Sequence, residues 1–249
     1  MKQQEISQLA EMLKKARRIA CLTGAGMSTE SGIPDFRSSN GIYNTITSEE
    51  IFDINRFRKS PNGFYKIIGP MYTSIIEAKP NAGHLALTRL ETEFGKKVAI
   101  ATQNIDGLHQ KANSSTIFEV HGTLRTLTCT RCRNHVESAG YLPLFQKGEP
   151  LICEKCGAAY KPDITFYGEA LPEEAFENSL RAFSDADLVL VLGTSLAVYP
   201  AAALPTYRST AAAFAIINRT ETPSDSQADL VIHDSIGPIL TAALELLKR

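Results

Sequence analysis

The chain has 249 residues, 43% hydrophobic and 21% charged, with 26 basic against 27 acidic side chains. This composition excludes a disordered chain, and the length fits one large domain or a domain with a small companion. A formal charge of −1 excludes the basic face that broad nucleic-acid or anionic-membrane binding needs, and no apolar run approaches the ~18–20 residues of a membrane span. The opening Lys2-Gln3-Gln4-Glu5 is unlike a secretory signal, which makes the cytoplasm the expected location. The one basic cluster, Lys14, Lys15, Arg17 and Arg18, reads as the solvated end of a helix.

Ile6, Leu9, Ala10, Leu13 and Ala16 recur at spacings of three and four, which predicts an amphipathic helix over 5–18. The apolar run Ile19–Leu22 predicts a strand that ends in the turn Thr23-Gly24-Ala25-Gly26. Residues 38–80 mix turn signals with aromatic helical pieces and read as an insertion. A helix is expected over Asn81–Phe94, a buried strand over Val98–Thr102, a short helix over Asn104–Lys111 and a strand over Thr116–Val120. From Cys129 to Cys156 long periodic segments disappear, as in a small excursion from the main sheet. Regular alternation resumes with a helix over Pro172–Ala182, strands at Asp187–Leu192, Ala212–Ile217 and Leu230–Ile232, and a helix over Ile236–Lys248. Apolar strands separated by helices imply an α/β fold with a doubly wound parallel sheet, which binds ligands at strand carboxyl ends.

Four groups of residues could carry chemistry. Gly24-Ala25-Gly26 could admit a pyrophosphate, although the third glycine of the usual dinucleotide fingerprint is replaced by Thr29, and the triplet alone fits a ligand-free tight turn almost as well. Its continuation, Ser28 to Arg37, adds an anion, an aromatic face and a forked cation at Asp35, Phe36 and Arg37; a loop closed by Arg37–Asp35 pairing is the competing reading. Gln103, Asn104 and Asp106, with His109, follow the second strand and offer donors and acceptors for ribose hydroxyls or a carboxamide, unless Asn104 or Asp106 simply caps a helix. His121-Gly122 places an imidazole at a third strand end, where a general base is expected.

Cys129-x2-Cys132 and Cys153-x2-Cys156 form two knuckles in a polar segment. Four thiolates make a closed, structural zinc site more plausible than a redox pair. Cys21 lies in an apolar strand and reads as an inert core residue.

Together, Gly24 to Arg37, Thr102–Asp106, His121-Gly122, the four cysteines, Phe166-Tyr167-Gly168-Glu169 and Gly193-Thr194-Ser195-Leu196 resemble the sirtuin family of NAD-dependent protein lysine deacylases, in family order. The resemblance implies a Rossmann-like NAD-binding domain (1–37, 81–124 and 161–249), a helical insertion (38–80) and a zinc-binding module (125–160). It implies that Gly24, Ala25, Gly26, Thr29, Phe36, Arg37, Gln103, Asn104, Ile105, Asp106, Gly193, Thr194, Ser195, Asn218 and Ser235 bind NAD. It also implies that Thr165, Tyr167, Gly168, Glu169, Ala197 and Val198 hold an acylated-lysine peptide as an added strand.

In the implied reaction the acyl oxygen attacks the nicotinamide ribose and releases nicotinamide. His121 then acts as general base, with Asn104 and Asp106 positioning the reactants, to give free lysine and O-acetyl-ADP-ribose. Tyr167 stands where members often carry Phe, and Thr165 where an apolar residue is common. Members that remove succinyl groups carry a Tyr-x-x-Arg pair; here Tyr65 is followed three positions later by Ile68, which predicts acetyl or other neutral acyl groups as substrates. The alternatives are mono-ADP-ribosyl transfer from the same NAD site, a zinc-ribbon adaptor, which would not need three polar strand ends, and a hydride-transferring dehydrogenase, which the missing third glycine disfavours. A monomer acting on protein substrates is expected, with no nucleic-acid or membrane partner.

Overall fold

The computed structural model describes residues 2–34 and 48–248. Among them the elements run α1 (Lys2–Lys15), β1 (Arg18–Thr23), α2 (Ser48–Ile51), α3 (Ile54–Lys59), α4 (Pro61–Glu77), α5 (Ala82–Thr92), β2 (Lys97–Thr102), α6 (Leu108–Lys111) and β3 (Thr116–Glu119). They continue with β4 (Gly122–Cys129), β5 (His135–Glu137), α7 (Leu142–Lys147), β6 (Tyr160–Ile164), α8 (Glu173–Asp185), β7 (Leu188–Leu192), β8 (Ala213–Ile217), β9 (Leu230–Ile232) and α9 (Ile236–Leu247).

Six strands form one sheet in the order β3-β2-β1-β7-β8-β9, every pair parallel. Numbered along the sheet's own strands this is 3-2-1-4-5-6, the dinucleotide-binding order. Strands of a covered parallel sheet are apolar on both faces, and all five residues of β7, Leu188 to Leu192, are buried. Side chains from α1, α5 and α9 pack on one face, with Leu9, Leu13, Leu87, Leu90, Leu240 and Leu244 in that layer. Phe183 of α8, with Ala201, Ala202 and Leu204 from a 3-10 turn, covers the other. The strand order turns back between β1 and β7, which puts the crevice for a ligand at the carboxyl ends of these two neighbours.

A second core joins the helices before residue 80 to an antiparallel sheet of order β5-β4-β6. Phe52, Phe57, Phe64 and Phe166 meet there at ring-centroid distances of 5.1–6.1 Å, mostly edge to face. The cysteine-bearing segment is thus built on paired strands, which its polar alternating sequence did not announce. Another departure is α6: the expected helix from Asn104 begins only at Leu108, because Gly107 adopts φ +69°, a left-handed turn that lifts residues 104–106 out of any helix.

Candidate active site

A cavity of about 1170 Å³ lies at the carboxyl ends of β1, β2 and β7 and reaches toward the second core. Its floor is a close contact between two loops. Gly24 N–H donates to Leu192 O at 3.1 Å and Gly26 N–H to Gly193 O at 2.8 Å. A Cβ on Gly24 would stand 2.6 Å from Thr194 Cβ, and one on Gly193 would stand 2.3 Å from Met27 N, at a residue whose φ is +66°.

Beside that floor runs a buried polar network. Asn104 Nδ2 donates to Gly24 O at 2.9 Å and to Ser28 Oγ at 3.1 Å, and Ser28 Oγ donates to Asp106 Oδ2 at 2.6 Å. Asp106 Oδ1 accepts from Leu108 N–H at 2.9 Å, so this carboxylate both caps α6 and faces the cavity, uniting its two sequence readings. Burial pushes its carboxyl above the ordinary carboxylate range, against the pull of Ser28 and the Leu108 amide. Gln103 Nε2 donates to Thr194 Oγ1 at 3.0 Å, linking the ends of β2 and β7.

His121 lies at the end of β3, half-buried on the cavity wall, with Nδ1 3.2 Å from Gln103 O. A carbonyl accepts and never donates, so Nδ1 carries the hydrogen and Nε2 is left with a free lone pair. Burial lowers its pKa below the ordinary 6.5, against the opposing pull of the Gln103 carbonyl, so the ring is neutral at pH 7. Gly122, φ +76°, allows this: a Cβ there would stand 2.0 Å from Asp163 O, where β4 closes on β6.

Thr165, Tyr167, Gly168, Glu169, Ala197 and Val198 all line the cavity mouth. Tyr167 is bound on one side by Phe52 O (2.7 Å) and Ile54 N–H (3.2 Å). The backbone groups of Gly168 and Ala197 have no partner among the described residues. Deeper in, Ile68, Met71 and Ile75 of α4 present an apolar wall, and the Tyr65 hydroxyl is buried and donates to Tyr160 O at 2.7 Å.

The cavity also takes in Ala25, Ile105, Ser195 and Asn218, but neither Thr29 nor Ser235. Thr29 Oγ1 donates to Gly26 O at 3.0 Å, and Ser235 Oγ accepts from Arg219 at 3.1 Å, which turns both to local structure. Phe36 and Arg37 lie outside the described residues. Ser28, which the sequence reading placed in the loop but gave no role of its own, is 1% exposed and central to the network; its signal was a serine two residues beyond the glycine turn.

The sulfurs of Cys129, Cys132, Cys153 and Cys156 all lie within 4.8 Å of one another, with Cys129–Cys156 at 3.4 Å and Cys132–Cys153 at 3.7 Å. A tetrahedron with ~2.3 Å zinc–sulfur bonds needs edges of about 3.8 Å, and these separations are far beyond a disulfide's ~2.0 Å. Burial pushes the Cys129 thiol up, but the amides of Cys132 and Arg131 outweigh it and bring it down to about 6, toward the thiolate a metal requires. The donor set fits one structural zinc ion with no open position.

A dinucleotide-binding sheet, a crevice at its switch point, a histidine poised as base and a four-thiolate module define an NAD-binding enzyme with a zinc-stabilised lobe. The Sir2 family model matches residues 24–200. The chain is 42% identical to an NAD-dependent protein deacetylase of Clostridium perfringens, over 97% of this chain and 99% of that one. It is 40% identical to an NAD-dependent protein deacetylase of Thermotoga maritima, over 91% and 92%. A solved structure concerned with the mechanism and regulation of Sir2 enzymes superposes with a TM-score of 0.92 at 36% identity, covering 99% of both chains. A Sir2 structure with p53 peptide and NAD+ superposes at 0.87 and 34% identity, over 97% and 98%. The chain belongs to the Sir2 family, the sirtuins.

Proposed function

We propose that the protein is an NAD-dependent protein lysine deacetylase that converts an acetyl-lysine peptide, NAD and water to free lysine, nicotinamide and O-acetyl-ADP-ribose. The carrying observation is His121: its Nδ1 is tied to Gln103 O, so Nε2 presents a lone pair to the cavity beside Asn104 and Asp106. Bound NAD supplies an electrophilic ribose carbon. Asn104 and Gln103 meet the ribose; Asp106, whose oxygens each keep a lone pair, accepts from the nicotinamide amide. The turn at Gly24, Ala25 and Gly26, through its one unbonded amide at Ala25, would cradle the phosphates with Gly193, Thr194 and Ser195, and Asn218 would lie on the adenosine side. His121 Nε2 would take the proton of a ribose hydroxyl and so make that oxygen a nucleophile.

The substrate peptide adds a strand between Gly168 and Ala197, whose free backbone groups offer it partners. Ile68 and Met71 favour acetyl or other neutral acyl groups, since nothing on that wall would pair a buried acyl carboxylate. The reading divides the chain into an NAD-binding domain (1–37, 81–124, 161–249), a helical insertion (38–80) and a zinc module (125–160), acting as a monomer in the cytoplasm without nucleic acid or membrane. No described helix is long and apolar enough to cross a membrane. The relatives named as deacetylases favour this activity over ADP-ribosyl transfer. Mass spectrometry of an acetyl-lysine peptide with and without NAD tests it. Acetyl loss only with NAD, accompanied by O-acetyl-ADP-ribose and absent in His121→Ala, is expected; ADP-ribose on acceptor protein with the peptide intact would refute it.

A further inference from the structure

Two buried histidines stand outside these assignments. His84, in the first turn of α5, is 0% exposed and His109, in α6, is 1% exposed. Their ring centroids are 4.8 Å apart, with planes inclined at 56°. Each ring has one nitrogen bonded and one, Nε2 of His84 and Nδ1 of His109, without a partner among the described residues.

The positions of the protons follow from the bonded nitrogens. Asn81 N–H donates to His84 Nδ1 at 3.4 Å, so in the neutral ring Nε2 carries the hydrogen. The Thr23 hydroxyl gives its hydrogen to Thr102 Oγ1 at 2.8 Å, so it can only accept from His109 Nε2 at 3.1 Å, and Nδ1 is bare. Burial lowers both rings, His84 to about 4 and His109 to about 3, so both are neutral. The unpartnered pair is therefore a donor on one ring and an acceptor on its neighbour. The two nitrogens are not bonded to each other, so each carries the cost of a buried unmet polar atom, and the His109 ring is held through its other nitrogen alone.

We propose that His109 is a positioning residue for Asn104, acting through a one-way chain of hydrogen bonds that runs over the hydroxyls of Thr23 and Thr102. The chain passes from His109 Nε2–H through Thr23 to Thr102 Oγ1, which also accepts from Asn104 N–H at 3.1 Å. Asn104 in turn holds Gly24 O and Ser28 Oγ. His109 thereby fixes the hydroxyl on which the Asn104 backbone is seated, without touching the cavity itself. The functional part of the inference rests on the proposed role of Asn104 at NAD.

Long-range 15N–1H spectra of the zinc-loaded protein at pH 7 should show His109 as the Nε2–H tautomer; an Nδ1–H form overturns the chain. His109→Phe should raise the dissociation constant for NAD about tenfold, as loss of an orienting partner does, with the peptide KM within twofold. His109→Gln, which can still donate to Thr23, should recover most of that affinity. Unchanged NAD affinity in the Phe variant, or equal losses in both variants, would overturn the positioning role. Should the Phe variant not fold, the tautomers and the Gln variant decide. Failure of the deacetylase reading looks different: the unmodified protein would leave acetyl peptide intact while the tautomers and NAD-binding series stand.

Discussion

The segment assigned to peptide binding is fastened by one ammonium group. Lys161 Nζ donates to Ile164 O at 2.7 Å, Glu169 Oε2 at 2.8 Å and Pro162 O at 3.3 Å, spending all three hydrogens, and lies 4.3 Å from the centroid of the Phe166 ring. Glu169 Oε2 also accepts from Phe166 N–H at 2.9 Å, closing the 165–169 turn. The two side chains are 14% and 29% exposed, so solvent screens the pair weakly. Burial lowers the Lys161 pKa while Glu169 raises it, so loss of the carboxylate leaves an under-paired charge. A hydrogen bond to a charged group contributes about 1.5–3 kcal/mol, which puts Lys161→Met near 3 and Glu169→Gln near 2 kcal/mol of destabilisation. For a chain of this length that is roughly 4–12 °C in Tm. Urea unfolding of the zinc-loaded single and double variants should give a coupling energy of about 1–2 kcal/mol, with the peptide KM raised several-fold and NAD affinity kept. Coupling below about 0.5 kcal/mol, or equal losses for peptide and NAD, would refute the clamp.

Four further outcomes are expected. With His121 in its proposed role as neutral base and its pKa lowered from 6.5, kcat/KM should hold from pH 8 down to 6.5 and fall only below it; a fall centred above pH 7 would contradict the assignment. Elemental analysis should find one zinc per chain, and its removal by a chelator should unfold the 125–160 module and abolish activity; full activity without zinc would exclude a structural role. Acetyl peptide should be turned over faster than succinyl peptide, and the reverse order would falsify the reading of the Ile68 wall. His84, about 4 when folded against 6.5 unfolded, binds fewer protons in the folded state, so stability should fall between pH 6.5 and 4, by roughly 3 kcal/mol from this residue alone. A urea midpoint constant over that range would count against its burial as a neutral ring.

What the sequence disclosed and what it hid follow one physical division. Strands buried on both faces must be continuously apolar, so β1, β2, β7 and β8 were readable to within a residue or so at each end. The zinc module was readable because four thiolates at such spacing have few other uses. Its sheet was not: β4 buries Gly122, Leu124, Leu127 and Cys129, and the register shift between Gly122 and Leu127 breaks the two-residue period that marks a strand. The site divides similarly. Gln103, Asn104, Asp106, His109 and His121 stood out as polar groups at or just past strand ends, whereas Thr23 and His84 are buried polar residues whose purpose exists only in the contacts between elements.

The glycine turn shows why a motif and its cause need separate arguments. Read as sequence, Gly24-Ala25-Gly26 suggests amides freed to meet a pyrophosphate. In the fold the amides of Gly24 and Gly26 are already spent on Leu192 O and Gly193 O. The glycines are required because the loop leaving β1 lies backbone to backbone on the loop leaving β7, where any Cβ would collide. That contact lies where the sheet order turns, so the spacing that closes the floor also sets the width of the crevice above it. The Ala25 amide, which has no partner among the described residues, is the one this turn leaves for an anion. The fingerprint therefore specifies a junction between two strands first, and binds a dinucleotide because of where that junction lies.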